Sequence, residues 1–129
     1  MLRLFFIGLG GAIGALLRYW ASGAAQGIFH DNFPGGTLTV NLLGSLVIGF
    51  LWGTFESVVV SQNIRIFLFI GMLGSFTTLS TFSLESFHLL RNGEYVFCAI
   101  NIMLSFIASI CLVFAGYLAS QYLFNLVRR

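Results

Sequence analysis

The residues of this chain that could do chemistry fall in three places. Residues 75–83 read Ser-Phe-Thr-Thr-Leu-Ser-Thr-Phe-Ser, and six of the nine carry hydroxyls. Glu85 and His88 follow, one helical turn apart. Upstream, Thr37 and Asn41 sit one turn apart near the start of an apolar run. Downstream, Asn101, Ser105 and Ser109 recur at i, i+4 and i+8, which puts three polar side chains on one helix face. Most of this inventory is amide and hydroxyl, so its donors are neutral rather than charged. Aromatic rings interleave with them, and an aromatic ring is positive at its edge. A small, strongly hydrated anion needs its water replaced by inward-pointing donors. A full positive charge would hold it too tightly, and conduction requires weak, multi-site binding.

No catalytic constellation accompanies these residues. The histidines, His30 and His88, have no cysteine or aspartate at metal-ligand spacing. No serine sits in a nucleophile elbow. The expectation is a protein that is not an enzyme. Gly8, Gly10, Gly11 and Gly14 invite a dinucleotide-binding reading, but the G-x-G-x-x-G spacing needs glycine where Ile13 stands, and too few residues precede Gly8 to form the strand. Gly10 and Gly14 instead make a GxxxG pair, which lets helix backbones approach closely in lipid.

The elements that must position these residues follow from composition. The chain has 129 residues, 58% of them hydrophobic, with ten formal charges and a mean hydropathy of +0.97. Charged residues make up 8%, against about 25% in a soluble domain. That excludes a soluble globular enzyme and a disordered segment. Net charge +2, from six arginines and no lysine, supplies no basic patch for nucleic acid. A membrane-crossing helix needs about 20 apolar residues. The chain divides into four such spans, at about residues 4–25, 37–60, 64–90 and 95–126, as one transmembrane unit. The fold class is therefore all-α, an integral membrane protein. A signal peptide is the rival reading of the first span, with Arg3 as its basic start and residues 21–24 as the cleavage site. Pro34-Gly35-Gly36 marks a loop and helix start.

The third span is the unusual one. A glycine-flanked, β-branched hydroxyl run makes a poor continuous helix. Non-helical backbone at membrane depth is tolerated only inside protein or along a wet cavity. Interrupted helices of this kind hold ions on freed carbonyls and half-helix ends. Plainer roles exist for each residue. Hydroxyls can bond back to their own helix. Asn41 can be an interhelical partner, and the face of Asn101, Ser105 and Ser109 can be packing. Glu85 can be a helix-end carboxylate beside His88 or Arg91. Ser45, Gly49 and Gly53 form a small-residue seam on the second span. Cys98 and Cys111, roughly 20 Å apart on one helix, cannot pair and read as buried thiols. Four spans place Arg3, Arg65, Arg128 and Arg129 on one side, which points the termini to the cytoplasm.

Residues 36–44, Gly-Thr-Leu-Thr-Val-Asn-Leu-Leu-Gly, resemble the second-helix motif of the Fluc/CrcB fluoride channel family. Residues 74–85, Gly-Ser-Phe-Thr-Thr-Leu-Ser-Thr-Phe-Ser-Leu-Glu, resemble that family's broken third helix. The resemblance covers essentially the whole chain. It implies an antiparallel, dual-topology homodimer in the bacterial inner membrane, with two fluoride pores at the subunit interface, exporting fluoride passively. It also implies a central sodium ion on backbone carbonyls matching Gly74 and Thr77. The implied fluoride path runs past Asn41 and Phe82 and along Thr37, Ser105 and Ser109, with Glu85 near one end and Arg18 at a vestibule. Leu79 stands where the family has its first pore phenylalanine, and Phe76 is the candidate substitute for that ring. A proton-coupled exporter using Glu85 and a non-transporting scaffold subunit are the alternatives.

Overall fold

A computed structural model describes residues 1–29 and 32–127. Among them every regular element is helical, and four helices are long and apolar enough to cross a membrane. In lipid a spanning segment must satisfy its own backbone, which is why these apolar runs become helices. The first span is one helix, Leu2–Gln26. The second is Gly35–Ser57 and starts directly after Pro34, whose fixed φ suits a helix start. It ends at extended Val58, so residues 58–60 leave the helix where the apolar run would have carried it on. Ser61 then caps the next segment by accepting from the Ile64 amide at 3.4 Å.

The third span, Gln62–Arg91, is in pieces. A short α-helical start, Gln62–Arg65, leads into a wide π-helical stretch, Ile66–Leu73, and one α turn, Gly74–Phe76. Thr77 and Thr78 are extended, and the helix resumes at Leu79–Arg91. The fourth span, Tyr95–Val127, is continuous and widens to π geometry at Leu104–Ala108. Gly93, at φ +80°, makes the left-handed turn between the two spans.

Glycine sets the two closest helix contacts. The first helix lies on the π-helical stretch. A Cβ on Gly10 would come within 2.5 Å of the Phe67 carbonyl oxygen, and one on Gly14 would strike that of Met72. The GxxxG pair thus works within the chain. The second helix lies in the same way on Ser109–Val127. There Gly49 faces the Val113 carbonyl and Gly116 faces that of Leu46. Gly53 approaches Ser120, whose hydroxyl is 3.0 Å from that of Thr54.

Polar contacts tie the ends. Arg3 donates to Gln62 at 3.0 Å, so the start of the chain meets the second loop. Asn32 donates to Glu94 at 3.3 Å and joins the first loop to the third at the other end. Arg65 donates to the Phe55 carbonyl at 2.6 Å and covers the Phe55 ring. Arg128, Arg129 and His30 lie outside the described residues, so their sidedness stays an expectation. Among the described residues the largest fully enclosed side chains are Val40, Asn101 and Ser120, while large apolar side chains such as Leu4, Trp20 and Phe114 are exposed. Cys98 is buried against Ser86, but Cys111 is exposed, which corrects the reading of both as buried thiols. It sits on the outward face of a helix that only lipid or protein would cover.

Gly14→Ala should lower stability by about 1–3 kcal/mol, because the added methyl meets rigid backbone. Gly8→Ala, with open space at that position, should not. Thermal unfolding of the purified protein in detergent distinguishes the two.

Candidate functional site

The site is organised by the gap in the third span, and the gap is held by a residue of the second. The Asn41 side-chain Oδ1 accepts from the Thr78 backbone amide at 2.8 Å, and its side-chain N–H donates to the Thr78 backbone carbonyl at 3.0 Å. In an unbroken α-helix the Thr78 amide would serve the Gly74 carbonyl four residues back. Asn41 takes that donor, so the Gly74 carbonyl loses its helical partner. The Thr78 hydroxyl then caps the next helix by accepting from the Thr81 amide at 3.3 Å. Two of the hydroxyls do bond back to their own chain, Thr77 to the Leu73 carbonyl and Ser83 to that of Leu79.

Beside the gap lies an open cavity of about 300 Å³. It brings together Asn41, Gly74, Thr77, Leu79, Phe82, Ser105 and Ser109 from three spans. Among the described residues no charged side chain lines it. Phe82 is buried and meets Phe106 edge-to-face, with ring centres 5.7 Å apart and planes at 87°. The Ser105 hydroxyl is buried without a hydrogen-bond partner. Leu79 is 68% exposed at the cavity wall. Phe76 is not part of the cavity. Its ring packs toward the second helix, 3.3 Å from where a Gly44 Cβ would stand. Within a single copy it therefore does not supply this cavity with the ring absent at Leu79.

The remaining residues of interest sit beyond this cavity. Arg18 and Thr37 line a smaller one of about 250 Å³, with Ser22, Thr78 and Thr81. Glu85 lines a third, of about 370 Å³, with Gln26, Asn32, His88, Asn92 and Glu94. The Thr37 hydroxyl donates to Glu85 at 2.7 Å and joins the second cavity to the third. Glu85 is therefore bound to Thr37, and its other oxygen is buried with no partner. No ion pair with His88 or Arg91 forms in its place. Asn101 is enclosed and donates to the Ser86 hydroxyl at 3.1 Å, so the polar face of the fourth span divides. Asn101 packs, whereas Ser105 and Ser109 face the cavity.

Residues 5–117 match the family described as CrcB-like protein, Camphor Resistance (CrcB). The chain belongs to this family. Relatives of this CrcB-family chain include the fluoride-specific ion channel FluC of Parabacteroides distasonis, 38% identical over 99% of this chain and 100% of the relative. The FluC of Geotalea daltonii is 41% identical over 95% of this chain and 100% of the relative. That of Pyrococcus abyssi is 42% identical over 88% of this chain and 91% of the relative. The relatives carry the name of a channel, which is a transport protein and not an enzyme.

Phe106 and Thr78 are among the cavity residues that the sequence reading did not single out, with Ile48 and Phe69. Phe106 directly follows Ser105, and Thr78 contributes through its backbone. Asn41→Ala should lower stability by about 1–3 kcal/mol, because it strands the buried Thr78 amide and carbonyl. Thermal unfolding measures this, and an unchanged transition would mean that the gap holds without the clamp.

Proposed function

We propose that this chain is a passive, fluoride-selective channel that exports fluoride from the cytoplasm across the bacterial inner membrane and so lowers its toxicity. One observation carries the reading: the cavity at the broken helix is lined by amide, hydroxyl and ring groups, with no charged side chain among the described residues. Such a lining can replace water around a small anion without trapping it. Hydrogen fluoride is a weak acid that crosses membranes uncharged and dissociates in a less acidic cytoplasm. A negative-inside potential then drives the anion out, at about 2.3 kcal/mol per charge per 100 mV.

The path would run from Asn41 past the Phe82 edge, with Leu79 at the wall, and along Ser105 and Ser109. Thr37, Glu85 and Arg18 would form its polar approach. A single copy leaves the cavity open, with Gly74 and Leu79 exposed at its margin. That supports a second copy as the missing wall, arranged as an antiparallel, dual-topology homodimer. The freed, exposed Gly74 carbonyl fits one ligand of a structural sodium ion at the centre of that dimer, with Thr77 as the next. The ion would supply fixed positive charge that ties the two gaps together.

A second reading keeps one observation of its own. The unpartnered oxygen of Glu85 suits a proton carrier in a coupled exporter. Liposomes holding the purified protein separate the readings. Rapid fluoride efflux with chloride retained, and no need for a pH gradient, is the expected result. Efflux that requires a pH gradient and vanishes in Glu85→Gln would overturn the channel. No efflux from a well-folded protein would favour a scaffold. Within the channel, Phe82→Ala should slow fluoride efflux more than Phe76→Ala, because of these two rings Phe82 alone lines the cavity.

A further inference from the structure

The geometry points to Phe106 as a second ring of the anion path, supplied by the fourth span where Leu79 gives the third span none. The inference rests on the channel reading above. Phe106 lines the same cavity as Phe82 and Leu79. The two rings stand at 87° with centres 5.7 Å apart. In such a pair one ring gives its edge to the face of the other, and the ring offering its face keeps its own positive edge free. Phe82 is 7% exposed and Phe106 53%, so of the two rings it is Phe106 that keeps open surface beyond the pair. Leu79 has no ring and therefore no positive edge.

Local backbone explains how Phe106 reaches the site. Successive residues of a regular α-helix point about 100° apart. Ser105 and Phe106 nevertheless both line the cavity, and they lie in the π-helical stretch Leu104–Ala108. Wide turns of this kind recur at functional sites. The Ser105 hydroxyl is buried with no partner, so it is a donor still to be used. Phe106 and Ser105 together thus present a ring edge and a hydroxyl side by side. An anion passing Phe82 would meet both.

The test is fluoride efflux and chloride retention in liposomes, with the wild-type protein measured first. Wild-type protein that passes no fluoride would sink the channel reading itself. If it conducts, Phe106→Leu should slow efflux about tenfold, the scale of one aromatic contact. Adding Leu79→Phe to that variant should restore most of the rate, because a ring returns to the same cavity. Unchanged flux in Phe106→Leu, or a loss that Leu79→Phe does not restore, would overturn the assignment. Pentafluorophenylalanine at position 106 keeps the ring's outline and reverses its edge charge. It should reduce flux as Phe106→Leu does, whereas wild-type flux would mean that the ring only packs. That substitution also decides the matter if Phe106→Leu fails to fold.

Discussion

Backbone polar groups in a membrane have no water to fall back on, and each one left alone costs several kcal/mol. A chain that interrupts a helix at that depth must find new partners for the groups it releases. Here the Asn41 side chain does so, with its carbonyl on the Thr78 amide and its N–H on the Thr78 carbonyl. The rest of the site follows from that clamp. It ends one helix at Phe76 and lets Thr78 cap the next. It places Leu79 and Phe82 on the cavity wall and leaves Gly74, at the exposed margin, without the helical donor its carbonyl would have had. The groups that satisfy the backbone and the groups that face the cavity are therefore largely the same residues.

The frame around the clamp is built from close backbone contacts. Gly10 and Gly14 rest on the π-helical stretch before the gap, and Gly49 and Gly116 join the second helix to the fourth span. Lipid tails are as apolar as leucine, so close van der Waals fit rather than exclusion of water holds such helices together. A frame of this kind has few mobile side chains at its joints. It can hold a cavity open beside a two-residue gap without a conventional large core, and the largest fully enclosed side chains among the described residues are those of Val40, Asn101 and Ser120.

Much of this was legible in the sequence where a single physical requirement acts locally. Apolar runs of about 20 residues must become helices in lipid, and residues 75–83 are too rich in hydroxyls to continue one. The pairing of Gly10 and Gly14 was readable from spacing alone. Contacts between distant residues were not. Thr37 and Glu85 are 48 positions apart, and local spacing offered His88 or Arg91 as the partner instead. Phe106 was hidden for another reason. In an apolar span a phenylalanine that lines a cavity and one that faces lipid look alike, and the π turn that aims it has no sequence mark. The same ambiguity hid the exposure of Cys111.

The glycine contacts have a consequence for how the chain is made. They join the first span to the third and the second to the fourth, so the two tightest pairs interleave along the sequence. No two consecutive spans complete either pair. When the first hairpin enters the bilayer, Gly14 has no Met72 to meet and Gly49 has no Val113. Asn41 likewise waits 37 residues for Thr78. Before the third span arrives the first two can meet where Gly36 lies against the Ser22 carbonyl and its amide donates to Gln26. The glycine contacts of Gly14 and Gly49 form only with the third and fourth spans. A truncated chain ending before residue 95 would retain the clamp and lack the whole surface on which the second helix comes to rest.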